Sequence, residues 1–154
     1  MFHRWAAPVL VLALCAFTPK HAAGQQTQQP RGHGAGVRAY PNPFNPDIHI
    51  LFSVGDENCP VNAQHVVTVR VLNILAQPVV FPVLFGPAPN STTSVPSSLH
   101  GRPLQGVTLG CGDYDSYWDG KLPGSGRTAA SGVYIVQVIT DGKTVQTTRI
   151  YFSK

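Results

Sequence analysis

Residues 114–154 read YDSYWDGKLPGSGRTAASGVYIVQVITDGKTVQTTRIYFSK. Two alternating runs, Val133 to Thr140 and Lys143 to Phe152, are joined by Asp141-Gly142. Asp-Gly between period-two runs predicts a β-hairpin, because a type I′ turn needs positive φ at both central residues. Tyr134, Val136 and Val138 are apolar on one face, and Val133, Ile135 and Ile139 on the other. A strand apolar on both sides is expected to lie centrally and to be covered on both faces. Gly132 precedes it. Ahead of the hairpin, Tyr114, Ser116 and Trp118 share one face of a further strand, opposite Asp115 and Tyr117. Asp119-Gly120 then turns the chain into a glycine-rich loop.

Upstream, Tyr40-Pro41-Asn42-Pro43-Phe44-Asn45-Pro46 holds three prolines in six residues. Each fixes φ and removes a backbone donor, so neither a helix nor a central strand can form here. The segment is expected to be a kinked lead-in that packs Tyr40 and Phe44 against the domain. Ile48, Ile50, Phe52 and Val54 then alternate with His49, Leu51 and Ser53, predicting a strand with one buried face. A second strand is expected at Val66 to Leu72 and a third at Pro78 to Phe85. Pro82 interrupts the third and argues for an edge or a bulge. Residues 86–112 are rich in Gly, Pro, Ser and Thr, and only Leu104 to Leu109 could form a short strand. A loop of this length in a compact domain is generally functional or mobile. No 3.6-residue apolar stripe occurs after the first 24 residues. The expected class is therefore all-β: an antiparallel sandwich of about seven short strands.

The N-terminus has His3 and Arg4, an apolar run from Trp5 to Phe17 and a small-residue site at Ala22-Ala23-Gly24. The run falls short of the ~20 residues that cross a bilayer. Residues 1–24 are read as a Sec signal peptide and 25–39 (QQTQQPRGHGAGVRA) as a disordered linker. The domain is assigned to 40–154, with a loop insertion at 86–112. Removing 1–24 lowers the net charge from +4 to +2. The basic residues left are scattered singly, without the patch that nucleic-acid binding uses. The mature chain is thus expected to bind no nucleic acid and to have no transmembrane segment. Export would make it periplasmic, outer-surface or extracellular. Cys59 and Cys111 form an even pair in an exported chain, for which a disulfide is the default. Neither has a CxxC partner or a histidine at ligand spacing in the sequence.

Chemistry is sparsely signalled. Serines and histidines occur outside any nucleophile-elbow pattern, so the chain is read as non-enzymatic, with no cofactor. Asp113, Asp115 and Asp119 are the one acidic cluster and weak Ca²⁺ candidates. Asp119 is better explained as the turn partner of Gly120. Trp118, Tyr114 and Tyr117 offer a carbohydrate platform, against which Trp118 is the natural core anchor of a sandwich.

Taken in order, YPNPFNP, VRVLNILAQPV and WDGK followed by SGVYIVQV and DGK resemble one family over residues 40–154. It is the immunoglobulin-like domain shared by flagellar hook-capping proteins and the C-terminal sorting domains of type IX secretion cargo. The resemblance implies an immunoglobulin-like sandwich marked by Tyr40, Pro41, Pro43, Phe44, Trp118, Asp119, Gly120, Gly132, Tyr134, Asp141 and Gly142. The chain departs from the pattern at Ala76, where a turn glycine is usual, which suggests a slightly different turn. The expected function is a secreted or periplasmic interaction or structural module. It would be an accessory subunit meeting protein partners in the envelope or outside the cell, through a free strand edge or the 86–112 loop. The alternatives are a type IX sorting or surface-attachment module and a carbohydrate-binding domain.

Overall fold

The computed structural model describes residues 36–154; the segments read from sequence as a signal peptide and, for the most part, as a linker lie outside the described residues. Among the described residues, nine strands form two antiparallel sheets facing each other across one core. They are β1 (Arg38–Tyr40), β2 (Ile48–Val54), β3 (Gln64–Leu72), β4 (Pro78–Val80), β5 (Val83–Pro87), β6 (Val107–Gly110), β7 (Gly112–Trp118), β8 (Gly132–Thr140) and β9 (Lys143–Phe152). The first sheet runs β1-β2-β7-β5. The second runs β4-β3-β8-β9, with β6 also paired to β3. An all-β sandwich is therefore the architecture. The fold begins earlier than composition suggests: Val37 is in the core and Arg38 already pairs with Leu51.

Alternation selects the inward faces. Ile48, Ile50, Phe52 and Val54 of β2 meet Val67, Val69 and Val71 of β3 and Tyr134, Val136 and Val138 of β8 across the core. Trp118 and Tyr114 enter from β7, and Ile150 and Phe152 from β9. Ser116 is also fully buried, and its hydroxyl donates to the Ile50 carbonyl at 3.1 Å. That bond offsets the cost of burying a hydroxyl. Trp118 donates its indole N–H to the Lys121 carbonyl at 2.8 Å. β8 is central, between β3 and β9. Contrary to the two-faced expectation, its outer face is open: Val133 is 38% exposed, and Ile135 and Ile139 are half-buried.

Pro82 marks a change of sheet rather than a bulge within one strand. β4 ends at Val80 as an edge of the second sheet, and β5 begins at Val83 as an edge of the first. An edge position is where a residue without an N–H costs least.

The 86–112 segment is pinned rather than loose. Leu104 is fully buried. Its N–H donates to the Pro82 carbonyl at 2.9 Å, and its carbonyl accepts from Val69 N–H at 2.8 Å. Gly101 and Arg102 bond Leu84 in the same manner. Leu104 thus plugs the core and ties the β5 edge to β3.

The proline-rich lead-in covers the end of β9. Asn42 offers its side-chain amide where the backbone has no donor: Nδ2 donates to the Arg149 carbonyl and Oδ1 accepts from Tyr151 N–H. Phe44 N–H donates to the Tyr151 carbonyl at 2.9 Å, and its carbonyl accepts from Ser153 N–H at 3.1 Å. The β9 edge is therefore occupied from Arg149 to Ser153, one of the standard ways of protecting an edge. The peptide bonds before Pro41, Pro43 and Pro46 are cis.

Ala76 lies in the turn between β3 and β4. Its φ is +58°, in the left-handed region that a glycine would occupy without strain. The turn is held by Asn73, whose Oδ1 accepts from the N–H groups of Leu75 and Gln77. Left-handed backbone costs a residue with a Cβ about 1–2 kcal/mol. Ala76→Gly is therefore expected to raise the unfolding free energy by about 1 kcal/mol, less the extra chain entropy that glycine carries when unfolded. A urea titration checks this, and a loss of stability would contradict the strain argument. At Asp141-Gly142 both φ values are positive, +50° and +79°, as the type I′ hairpin requires.

Candidate functional site

The outward face of the first sheet carries an aromatic cluster around a histidine–carboxylate pair. Strand register sets it up: Tyr40 pairs with His49, His49 with Tyr117, and Tyr117 with Val83. Residues opposite one another in antiparallel strands put their side chains on the same face. His49 is therefore bracketed by Tyr40 and Tyr117. The β5 bulge between Leu84 and Gly86 accompanies Phe85 on the same face. Tyr40 stacks on His49 with centroids 5.3 Å apart and planes 13° from parallel. Phe85 and Tyr117 meet the imidazole edge-on at 5.0 and 5.3 Å. Tyr40 is 41% and Phe85 57% exposed. Such rings are held by packing, yet their outer edges meet solvent.

Asp115 lies beneath, 4% exposed. Both carboxylate oxygens are within reach of His49 Nδ1, at 2.9 and 3.1 Å. Nδ1–H donation to the carboxylate leaves Nε2 as the ring's remaining polar atom among the exposed aromatics. Burial raises the Asp115 pKa, while its hydrogen bond and charge interaction with His49 pull the other way. A carboxyl whose folded pKa is raised binds its proton more readily folded than unfolded. Its stabilising contribution is thus full below the unfolded value of about 3.9 and is lost as pH climbs through the folded value. Asp115→Asn keeps an acceptor for Nδ1–H but removes the ionisation. Its stability–pH curve, measured by urea titration, is expected to be flatter than the parent's on the acid side of neutrality. Parallel curves would refute this.

Beside Tyr117 a groove of about 380 Å³ runs between Val80–Val83 and the loop at Leu122–Gly126. Its lining includes Phe81, Leu122, Trp118, Asp119 and Lys121. Tyr117 is common to the groove and the aromatic cluster.

The carboxylates considered for Ca²⁺ go to separate tasks. Asp115 serves His49. Asp113 accepts from the Ser53 hydroxyl at 2.6 Å. Asp119 accepts from Lys121 N–H at 3.0 Å and pairs with its ammonium at 3.5 Å, as a turn residue does. Among the described residues they do not converge as a cation-binding group. Of the aromatics weighed as a platform, Trp118 and Tyr114 are core residues, each 2% exposed. Tyr117 faces outward. Phe44 is buried, whereas Tyr40, expected to pack inward with it, belongs to the outer cluster. Gly120, at φ +70°, lies so close to the lead-in that a Cβ would run into the Pro46 carbonyl. Gly132 opens β8 and Tyr134 donates its hydroxyl to the Ala130 carbonyl at 2.7 Å.

Cys59 and Cys111 are joined as a disulfide with Cα atoms 6.2 Å apart. The sequence showed no histidine at ligand spacing, but the fold brings one in. His65, six positions after Cys59, places Nε2 3.5 Å from the Cys59 sulfur. Its Nδ1 meets Asp141 of the β8–β9 turn at 2.8 Å, and this hydrogen bond from His65 holds the Asp141 pKa below its ordinary value, with Val66 N–H adding to the effect.

In sequence, no family model and no curated protein match the chain. A solved structure similar to it is the Pseudomonas fluorescens alkylpurine DNA glycosylase AlkC, bound to DNA containing an abasic site analog. The likeness has 16% identity and a TM-score of 0.44, and spans 79% of this chain and 31% of that one. The activity named for this neighbour, on DNA, differs from the secreted interaction module expected from the sequence. The interaction-subunit reading and its sorting and carbohydrate alternatives are not carried further. A likeness this weak puts no DNA chemistry in their place. Among the described residues, no helix is long and apolar enough to cross a membrane.

Proposed function

We propose that the domain is a binding module for a ligand carrying a planar, conjugated ring, received on the outer face of the β1-β2-β7-β5 sheet. The observation that carries this reading is His49, fixed by buried Asp115 and flanked by Tyr40, Phe85 and Tyr117. Aromatic pairs favour offset-stacked or edge-to-face contacts, worth about 0.5–1.5 kcal/mol each beyond burial. A ring laid against Phe85 and Tyr117 would gain such contacts and reach His49 Nε2 with a hydrogen-bonding ring atom. An apolar substituent could enter the groove beside Tyr117. The neighbours of His49 are rings rather than a nucleophile, which favours recognition over turnover. The scaffold reading rests on the three motifs in their family order, with Phe44 and Gly120 at the contacts between them.

The test is a screen of heteroaromatic fragments against the full chain by ¹H–¹⁵N NMR. Saturable shifts at His49, Phe85 and Tyr117, reduced at least tenfold in affinity by a Phe85→Ala/Tyr117→Ala double variant, are expected. Hits confined to other surfaces, or binding indifferent to the double variant, would refute the reading.

A further inference from the structure

A second set of donor atoms gathers at the other end of the molecule. Cys59 follows the turn after β2, Cys111 sits between β6 and β7, and His65 is on β3. His65 Nε2 lies 3.5 Å from the Cys59 sulfur and 3.9 Å from the Cys111 sulfur. The three donor atoms fall within 4.8 Å of one another. Asp141 reaches the far side of the imidazole: Oδ2 is 2.8 Å from Nδ1, while Oδ1 accepts from Val66 N–H at 2.9 Å. Proton donation from Nδ1 to this carboxylate leaves the Nε2 lone pair directed at the sulfurs. A disulfide has no need of a tautomer-fixed histidine; metal-bound histidines nearly always have a partner of this kind.

We infer that, once the Cys59–Cys111 bond is reduced, Cys59, Cys111 and His65 bind one Zn²⁺ ion, so that the two sulfurs alternate between a disulfide and a metal site. The balance is simple. A thiol or phosphine reductant supplies two electrons, the S–S bond breaks, and two protons from solvent complete two thiols. Zn²⁺ then displaces both thiol protons to solvent and takes the neutral imidazole as third ligand, with water in the fourth position. Zn–S distances near 2.3 Å in a tetrahedron separate the sulfurs by ~3.8 Å. Cα atoms 6.2 Å apart leave room for that separation through side-chain rotation. Two thiolates and an imidazole form a borderline-soft set that suits zinc over Mg²⁺ or Ca²⁺. All three residues are half-buried. Cys59 and Cys111 border a groove that also carries Asp56 and Glu57, so a cation has both an opening and an attractive field.

Full-length chain reduced with a phosphine would be titrated with Co²⁺ as the optical probe and then with Zn²⁺ in competition. One Co²⁺ per chain is expected, with a thiolate-to-metal band in the near ultraviolet, tetrahedral visible bands and displacement by Zn²⁺. The oxidised chain should give none of these. His65→Ala is expected to weaken Zn²⁺ binding at least tenfold. Asp141→Asn, which keeps a turn-forming residue, should weaken it about 10–100-fold. Circular dichroism run alongside covers the case in which reduction unfolds the chain. Zn²⁺ would then restore the strand signal in the parent and not in His65→Ala. Absence of a thiolate band from the reduced parent, folded or not, would overturn the inference. So would His65→Ala binding Zn²⁺ as tightly as the parent.

Discussion

Phe44→Ala is expected to lower the unfolding free energy by about 3–5 kcal/mol, the range for deleting a buried phenyl ring. Phe44 is 1% exposed. It stacks on Phe152 with centroids 4.7 Å apart and tilts against Trp118 at 5.5 Å. It therefore joins the last strand of one sheet to a central strand of the other. Collapse around the deleted ring is restricted, because the backbone on either side is committed. Phe44 N–H and C=O are bonded to Tyr151 and Ser153, and Pro43 precedes it with φ fixed by its ring. Domains of this size have about 5–15 kcal/mol in all, so one ring in the lead-in accounts for a large share. Urea unfolding followed by tryptophan emission would report it, with Trp118 in contact with the deleted ring. A loss below about 1 kcal/mol would mean that the lead-in is an accessory of the sandwich and not part of its core.

The same contacts explain what the sequence made legible. Period-two alternation identifies β2, β3, β7 and β8, because each buries the apolar side of its strand against the opposite sheet, whereas β9 buries only Ile150 and Phe152. Asp141-Gly142 specifies its turn because both positions need positive φ. The motifs YPNPFNP and WDGK read as separate signatures along the chain, and the fold joins them. Phe44 touches Trp118, and Gly120 leaves room for the Pro46 carbonyl. Where the reading went astray, local pattern met a long-range partner. Leu104 reads as the start of a short strand within a long loop; the strand begins at Val107, and the backbone of Leu104 bonds instead to Pro82 and Val69, 22 and 35 positions away. Tyr40 looked like a core aromatic because it stands beside Phe44. Pairing with His49 sends it to the opposite side of the sheet.

The aromatic face was less legible for the same reason. His49 and Asp115 are 66 positions apart, and neither is remarkable within its own strand. Tyr40, Phe85 and Tyr117 arrive from three strands whose order in the sheet, β1-β2-β7-β5, is not their order in the chain. The signal that could have found the pair is the polar position on each outward face: His49 between Ile48 and Ile50, and Asp115 between Tyr114 and Ser116. Pairing β2 with β7 brings those two positions close enough to hydrogen-bond. His65 and Asp141 are linked in the same way by β3 and the β8–β9 turn, 76 positions apart.

Replacing both Cys59 and Cys111 by serine is expected to lower the unfolding free energy by about 4 kcal/mol. Their bond closes a loop of 52 residues, and in the chain-entropy model cutting it restores that much freedom to the unfolded chain. The loop contains β3, β4, β5 and β6, so it constrains strands of both sheets when the chain unfolds. The mechanism can be separated from a loss of native packing. A constraint acting on the unfolded state also shortens it, so the double variant should show a larger urea m-value as its denatured chain opens further. Damage confined to the native groove would lower the midpoint at constant m. His65 supplies the control: His65→Ala removes the imidazole over the sulfurs but leaves the crosslink, and should keep most of the 4 kcal/mol. If His65→Ala cost as much as the double serine variant, the stabilisation would reside in the His65–Asp141 contact that ties β3 to the β8–β9 turn. The crosslink would then add little to it.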